Sequence, residues 1–260
     1  MKVLFVGDIF GKPGRTAVSH FVPTLRRTLG LDFCIGNSEN AAAGSGCTPE
    51  LAEELLESLD LLTSGNHCWS KREITSYLAR PGSRQLRPAN YPGDAPGRGH
   101  AVIESKDGKK LGVLNLEGRT FMKTLDCPFR AAERLVAELR AQTPCVLVDM
   151  HCEATSEKNA MGHYLDGRVS AVLGSHTHVQ TADARLLKGG TAYITDVGMC
   201  GPWDSVIGVK KEAAIERFLT SRYASFEPAT EEPSLQGALV EIDDATGRAR
   251  SIVRVQEKLP

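Results

Sequence analysis

Five times in this chain a short, apolar, β-rich run stops beside a residue able to hold a metal ion. Val3–Val6 leads into Gly7-Asp8, and Asp32–Ile35 into Gly36-Asn37-Ser38-Glu39-Asn40. Asp60–Thr63 leads, past Ser64, into Gly65-Asn66-His67. Cys145–Met150 is followed by His151, and Val169–Leu173 by Gly174-Ser175-His176-Thr177-His178. Such runs read as buried strands of an α/β sheet. Ligands of these sheets bind beyond the carboxyl ends of the strands. The five polar segments are therefore expected to converge. Two weaker features share the pattern, Asp196 after Ala192–Thr195 and Asn115 inside a hairpin.

Helices fill the gaps. Pro13–Leu29 reads as one, with Pro13 near its start and Gly30 past its end. Thr48-Pro49 opens a second with an N-cap followed by proline. Phe129–Arg140 is helical by pattern. Residues 80–100 hold four prolines and four glycines and read as loop. Ala101–Glu104 and Leu111–Leu116 flank Lys106-Asp107-Gly108-Lys109 as a hairpin. The last third turns to β, with Leu235–Ile242, a turn through Asp244–Gly247, and Ser251–Val255. The fold class is α/β with a layered sheet. No repeat or linker interrupts it, so residues 1–260 are expected to form a single domain.

The net charge of −1 supplies no global basic field, so bulk nucleic-acid binding is not expected. The seven cysteines are odd in number, irregular in spacing and without a C-x-x-C pair. That argues against a disulfide framework and a thiolate zinc site, and fits a reducing cytoplasm. Met1–Gly7 is too short an apolar run for a signal peptide. No apolar stretch approaches the roughly 20 residues that span a bilayer, so no membrane association is expected.

Taken singly, each polar residue has an ordinary explanation. Asp8 alone could be a turn or capping residue, Asn40 and Asn66 left-handed turn residues, and His151 a core histidine. Their joint occurrence carries the argument. Three histidines, two carboxylates and two amides exceed what one tetrahedral ion uses, so two ions are expected, with Glu39 able to bridge them. Oxygen and imidazole donors suit iron or manganese, with zinc, cobalt and magnesium also compatible. Two ions roughly 3.5–4 Å apart can activate a shared water and clamp a phosphate. His67, next to Asn66, is placed to protonate a leaving oxygen.

Competing motifs fail. Gly7–Gly14 lacks the spacing and hydroxyl of a P-loop, since Pro13 follows Lys12. No G-x-S-x-G elbow occurs. Cys68 reads as a buried structural thiol rather than a nucleophile, Trp69 as packing or else a base-stacking wall near the site, and the arginines between Arg72 and Arg98 as solvated loop charges rather than an RNA track. The loop Ala41–Thr48 is either an approach to substrate phosphate or a plain tight connection.

The order Asp, acidic segment, Gly-Asn-His, His, Gly-x-His-x-His resembles the calcineurin-like metallophosphoesterase superfamily. More closely the chain resembles its YmdB-like branch of 2′,3′-cyclic-nucleotide phosphodiesterases. The segments that carry this are Gly7–Arg15, Asn37–Ala42, Ser64–His67, and Tyr164–Val172 running into His176–Asp183. The resemblance implies layered central β-sheets flanked by helices. It also implies one metal held by Asp8, Glu39, Asn40 and His178, and a second by Glu39, Asn66, His151 and His176. His67 would be the catalytic acid. The wider superfamily has histidine where this chain has Phe10, Gly-Asp-x-x-Asp where it has Gly36–Asn40, and an acidic residue where it has Cys68. Asn40 would compensate for the missing histidine.

The leading expectation is hydrolysis of a small phosphodiester, a 2′,3′-cyclic nucleotide, by a hydroxide shared between the ions, with His67 as acid. Two others remain open: a regulatory metal- or nucleotide-binding protein with little turnover, and a phosphomonoesterase on the same site. No residue is singled out for substrate binding. The apolar C-terminal β segments would suit a homo-oligomer.

Overall fold

The computed structural model describes residues 1–259. The chain opens with β1 (Lys2–Val6), β2 (Asp8–Ile9), α1 (Gly11–Leu29), β3 (Phe33–Asn37), α2 (Pro49–Leu56), β4 (Leu61–Thr63) and α3 (Ile74–Leu78). The hairpin β5 (His100–Glu104) and β6 (Lys110–Glu117) follows, then α4 (Pro128–Arg140), β7 (Val146–His151), α5 (Thr155–Leu165) and β8 (Ala171–Ser175). The remainder is β9 (Arg185–Leu186), β10 (Ala192–Ile194), β11 (Met199–Pro202), α6 (Lys211–Thr220), β12 (Pro233–Ile242) and β13 (Ala249–Lys258).

Alternation along β1 shows why the chain layers. Val3 and Phe5 face one way and join Phe33 and Ile35 of β3 against Val113, Leu147 and Leu173 of β6, β7 and β8. Leu4 and Val6 face the other way, onto Val18 and Val22 of α1 and Leu55 of α2. Strands buried on both faces need apolar residues at every position, as these have. Leu114, Val148 and Val172 of the second sheet meet Leu135 and Leu139 of α4 and Met161 of α5. The result is two curled sheets face to face with helices outside. One sheet has seven strands in the order β2-β11-β12-β1-β3-β4 with β13 on β12; the other has six, β5-β6-β7-β8-β10-β9.

The parallel sets β1-β3-β4 and β6-β7-β8-β10 bring their carboxyl ends to one edge. Local signals set the helices on them. Thr48 caps α2, its Oγ1 accepting from the Leu51 N–H at 3.3 Å. Gly30 ends α1 in the left-handed region at φ 64°, a conformation a Cβ would disfavour.

Several expectations shift. His151 is the last residue of β7 rather than the residue after it, and the strand expected from Val169 begins at Ala171. Arg87 is not a solvated charge. It is buried, and its guanidinium donates to the carbonyls of Pro88, Ala95 and Pro96, tying down the Pro- and Gly-rich loop. Arg72, Arg80, Arg84 and Arg98 are exposed as expected.

All seven cysteines are free, and only Cys127 is not buried. Burial pushes Cys34, Cys47, Cys68, Cys152 and Cys200 up to about 12. At pH 8 the native protein should therefore react rapidly with a thiol reagent only at Cys127, and at all seven thiols once denatured without reductant. Several fast thiols in the native state would contradict this packing.

Candidate metal centre

The five strand ends meet. Glu39 Oε2 lies 3.1 Å from His151 Nε2, and His151 Nε2 lies 3.1 Å from His176 Nδ1 and 3.0 Å from Asn66 Oδ1. Asp8 Oδ1 is 3.7 Å from His151 Nδ1, and Asp8 Oδ2 accepts from the His176 N–H at 3.0 Å. Asn40 Nδ2 is 3.2 Å from Glu39 Oε1 and 3.0 Å from His178 Nε2. His67 closes the group, its Nδ1 2.9 Å from Asn40 Oδ1. All eight residues expected at the site are linked by these contacts.

The surrounding hydrogen bonds fix which ring nitrogens face inward. Ser175 Oγ donates to Asp149 Oδ1 at 2.6 Å, so its contact with His151 Nδ1 at 2.9 Å must be accepted from an Nδ1–H. That leaves Nε2 toward Glu39 and His176. His178 Nδ1 lies 2.7 Å from the Ile207 carbonyl and must donate there, which leaves its Nε2 toward Asn40. Glu153 Oε2 sits 3.1 Å from His176 Nε2, so Nδ1 is that ring's inward nitrogen. Carboxylates and carbonyls behind ligating imidazoles orient metal sites in this way.

Charge in the centre is poorly balanced without a cation. Burial raises Asp8 to about 6, only partly offset by His151 and His178. Burial also opposes charge on Glu39, but His151 and then His67 hold it well below the usual carboxylate range. On His151, burial is outweighed by Glu39, Asp8 and Asp149, which raise it to about 10. Burial and the neighbouring His151 lower His176 to about 3, and burial lowers His67. Asp8 Oδ1 is buried and receives no hydrogen bond. An ionised oxygen in that position is costly unless a cation meets it. Glu39, His151 and His176 each offer a donor atom, all within 4.8 Å of one another, and the donor set is hard oxygen plus imidazole. These residues fit a metal ion.

Asn40 departs from the expected posture in one respect. It turns Nδ2, not Oδ1, toward Glu39 and His178. Ligation by Asn40 through Oδ1 requires a half-turn of its amide.

Backbone constraint is concentrated here. His176 and His178 have φ of 104° and 64°, uncommon for side-chain-bearing residues and costing on the order of 1 kcal/mol or more each. Gly65 cannot carry a side chain, because a Cβ there would overlap His151 Nε2 and Glu39 Oε2.

The two weaker sequence features do not join the centre but position it. Asp196 is fully buried. Its Oδ2 accepts from Lys158 Nζ at 2.7 Å and from the Thr177 N–H at 3.0 Å, Thr177 lying between the two histidines. Asn115 Oδ1 accepts from the Ser64 N–H at 3.0 Å, ahead of Gly65-Asn66-His67. The sequence reading missed Asn37, Asp149, Ser175 and Glu153. One signal was available, since Asp149 is a charge inside the otherwise apolar run Val146–Met150. Cys68 is buried as expected. The Trp69 ring packs edge-on against Tyr91 at 5.9 Å, as its packing role implied. Gly44 of the loop Ala41–Thr48 reaches the cleft above the centre, whose volume is about 590 Å³.

Comparison with known proteins gives a consistent picture. A family described as "YmdB-like protein" matches residues 4–255. A 2′,3′-cyclic-nucleotide 2′-phosphodiesterase of Bacillus subtilis is 47% identical over 256 residues, covering 98% of this chain and 96% of that protein. The crystal structure of a hypothetical protein from Thermus thermophilus aligns at a TM-score of 0.93 and 42% identity, over 100% of both chains. That of a novel phosphatase from Mycoplasma pneumoniae aligns at 0.91 and 32% identity, over 99% of this chain and 93% of that one.

Proposed function

The chain belongs to the YmdB-like family, a family of phosphoesterases, and from that premise we propose that it hydrolyses a small phosphodiester, foremost a 2′,3′-cyclic nucleotide, at a centre of two metal ions. One observation carries the metal reading: the strand ends bring Glu39, His151 and His176 donors within 4.8 Å of one another, beside Asp8 Oδ1, a buried carboxylate oxygen with no hydrogen-bond donor. Asp8, Glu39, Asn40 and His178 would hold one ion and Glu39, Asn66, His151 and His176 the other. Iron or manganese suits these donors best, with zinc, cobalt or magnesium compatible. When bound, such ions supply an activated water and neutralise phosphoryl charge.

The chain's own residues supply the rest. Gly65 lets Glu39 and His151 close directly onto the backbone, where a Cβ would overlap both. Glu39 Oε1, 3.5 Å from His67 Nδ1, would face an Nδ1–H and so favour the ring protonated on both nitrogens. As an imidazolium, His67, half-buried at the cleft, would give its Nε2 proton to the ribose oxygen as that oxygen's bond to phosphorus breaks, and be left a neutral imidazole. Seven unpaired cysteines fit a cytoplasmic setting. No helix among the described residues is long and apolar enough to cross a membrane. A homo-oligomer would have β13 available, where Val253 is half exposed.

The test pairs elemental analysis with a substrate panel. The wild type should carry about two transition-metal ions and cleave diesters faster than monoesters. His67→Ala should keep the metal and lose kcat by about 10²–10⁴-fold. Faster monoester cleavage would point to a phosphomonoesterase. A His67→Ala protein that keeps its biological effect would point to a regulatory sensor. Absence of metal after anaerobic reconstitution would sink the central reading.

A further inference from the structure

The cleft does not end at the polar floor formed by Glu39, Asn40, His67, His176 and His178. One continuous wall rises from it, formed by Val206, Ile207, Val209 and Ala214, with Phe218 of α6 and Phe226 beyond. Of α6 only Ala214 is buried, while Phe218 is 84% exposed and Phe226 43%. Aromatic side chains left in water beside a charged floor mark a ligand surface. A cleft of about 590 Å³ is in the range that holds a whole small ligand rather than a phosphate alone. Because wall and floor belong to one cleft, the occupant has an anionic end and a flat apolar end.

We propose that Phe218 and Phe226 form a nucleobase platform, on which the base stacks while its phosphate lies over the floor. The platform rests on the phosphodiesterase reading and adds what would select the substrate. The wall offers one polar side chain, Arg217, whose guanidinium carbon lies 5.0 Å from the Phe226 ring centroid and so lines that ring's face. The cleft's other polar side chains away from the ligand set, Glu153 and Thr177, are already engaged, Glu153 with His176 and Thr177 with Asp196, so discrimination follows ring area. Purines are preferred to pyrimidines, with adenine and guanine nearly equal.

Steady-state kinetics on the four 2′,3′-cyclic nucleotides and on glycerol 1,2-cyclic phosphate test this in the metal-loaded protein. Phe218→Ala should raise KM for the purine substrates about tenfold more than KM for the base-free diester, and Phe218→Trp should restore it. Both positions are exposed, so neither variant endangers folding. Equal KM changes for nucleotide and base-free substrates would overturn the platform. So would unchanged KM in both Phe218→Ala and Phe226→Ala together with a lower mass by sedimentation velocity, which would assign the wall to a second copy of the chain. If the wild type turns over neither substrate class, the phosphodiesterase reading falls by itself. Calorimetric binding of adenosine 3′-phosphate then decides the platform alone: weaker binding by Phe218→Ala keeps it, and equal binding removes it.

Discussion

Glu39→Gln is expected to lower kcat/KM for a phosphodiester by about a thousandfold or more, with loss of bound metal, while the protein stays folded. The change keeps the shape and removes one charge at the point where the centre is most interconnected. Glu39 touches His151 Nε2 at 3.1 Å, the His67 N–H at 3.2 Å and Asn40 Nδ2 at 3.2 Å. No other carboxylate in the group reaches both the His151-His176 side and the Asn40-His178 side. If it bridges two ions, both lose a ligand together. Metal content and kcat/KM measured on the same preparation check this. A variant that retains full metal and a rate within tenfold of the wild type would remove Glu39 from the bridging role.

The second large effect is on stability. Lys158 and Asp196 are both fully buried and joined at 2.7 Å, the lysine coming from α5 and the aspartate from the loop after β10. Lys158→Met should leave the Asp196 charge buried without its cation and cost about 3–5 kcal/mol, seen as a fall in Tm of roughly 10 °C. The double variant Lys158→Met/Asp196→Leu should recover much of that loss, because a buried pair replaced by apolar groups of similar volume is often near neutral. Metal affinity should not recover with it, since Asp196 also holds Thr177 between the two histidines. Urea unfolding and metal titration of the three proteins separate the two effects. A loss below about 1 kcal/mol in the single variant would show that Asp196 has found protons or water instead.

The contrast between α1 and α5 shows how far the sequence could be read. The end of α1 is signalled by Gly30, and the start of α2 by Thr48-Pro49, so both were legible. The buried face of α5 includes Glu157 and Lys158, which breaks the apolar period that marks a core-facing helix. The reverse problem hides α6, because Ile215, Phe218 and Leu219 lie in solvent rather than on a core. The strand β11 contains Gly201-Pro202, residues that argue against a strand except where a neighbour supplies the pairing.

The centre was more legible than the frame, because each candidate ligand ends or follows an apolar run. Asp8, Glu39, Asn66, His151 and His176 could be placed without knowing how the strands pair. The Asn37-Asp149-Ser175 network could not, since it joins residues up to 138 apart in sequence and exists only once the two sheets face each other. Glu153 belongs with that network, for a surface glutamate carries no sign in sequence that it backs a histidine.

The left-handed backbone at His176 and His178 bears on how such a chain can change over generations. At both positions glycine would relieve the conformational cost, so selection for folding alone would favour losing the side chains. A lineage that stopped using this centre could therefore gain stability by the same substitutions that erase its chemistry, and that loss would be hard to reverse. Each side chain is therefore carried at a conformational cost that folding alone does not require.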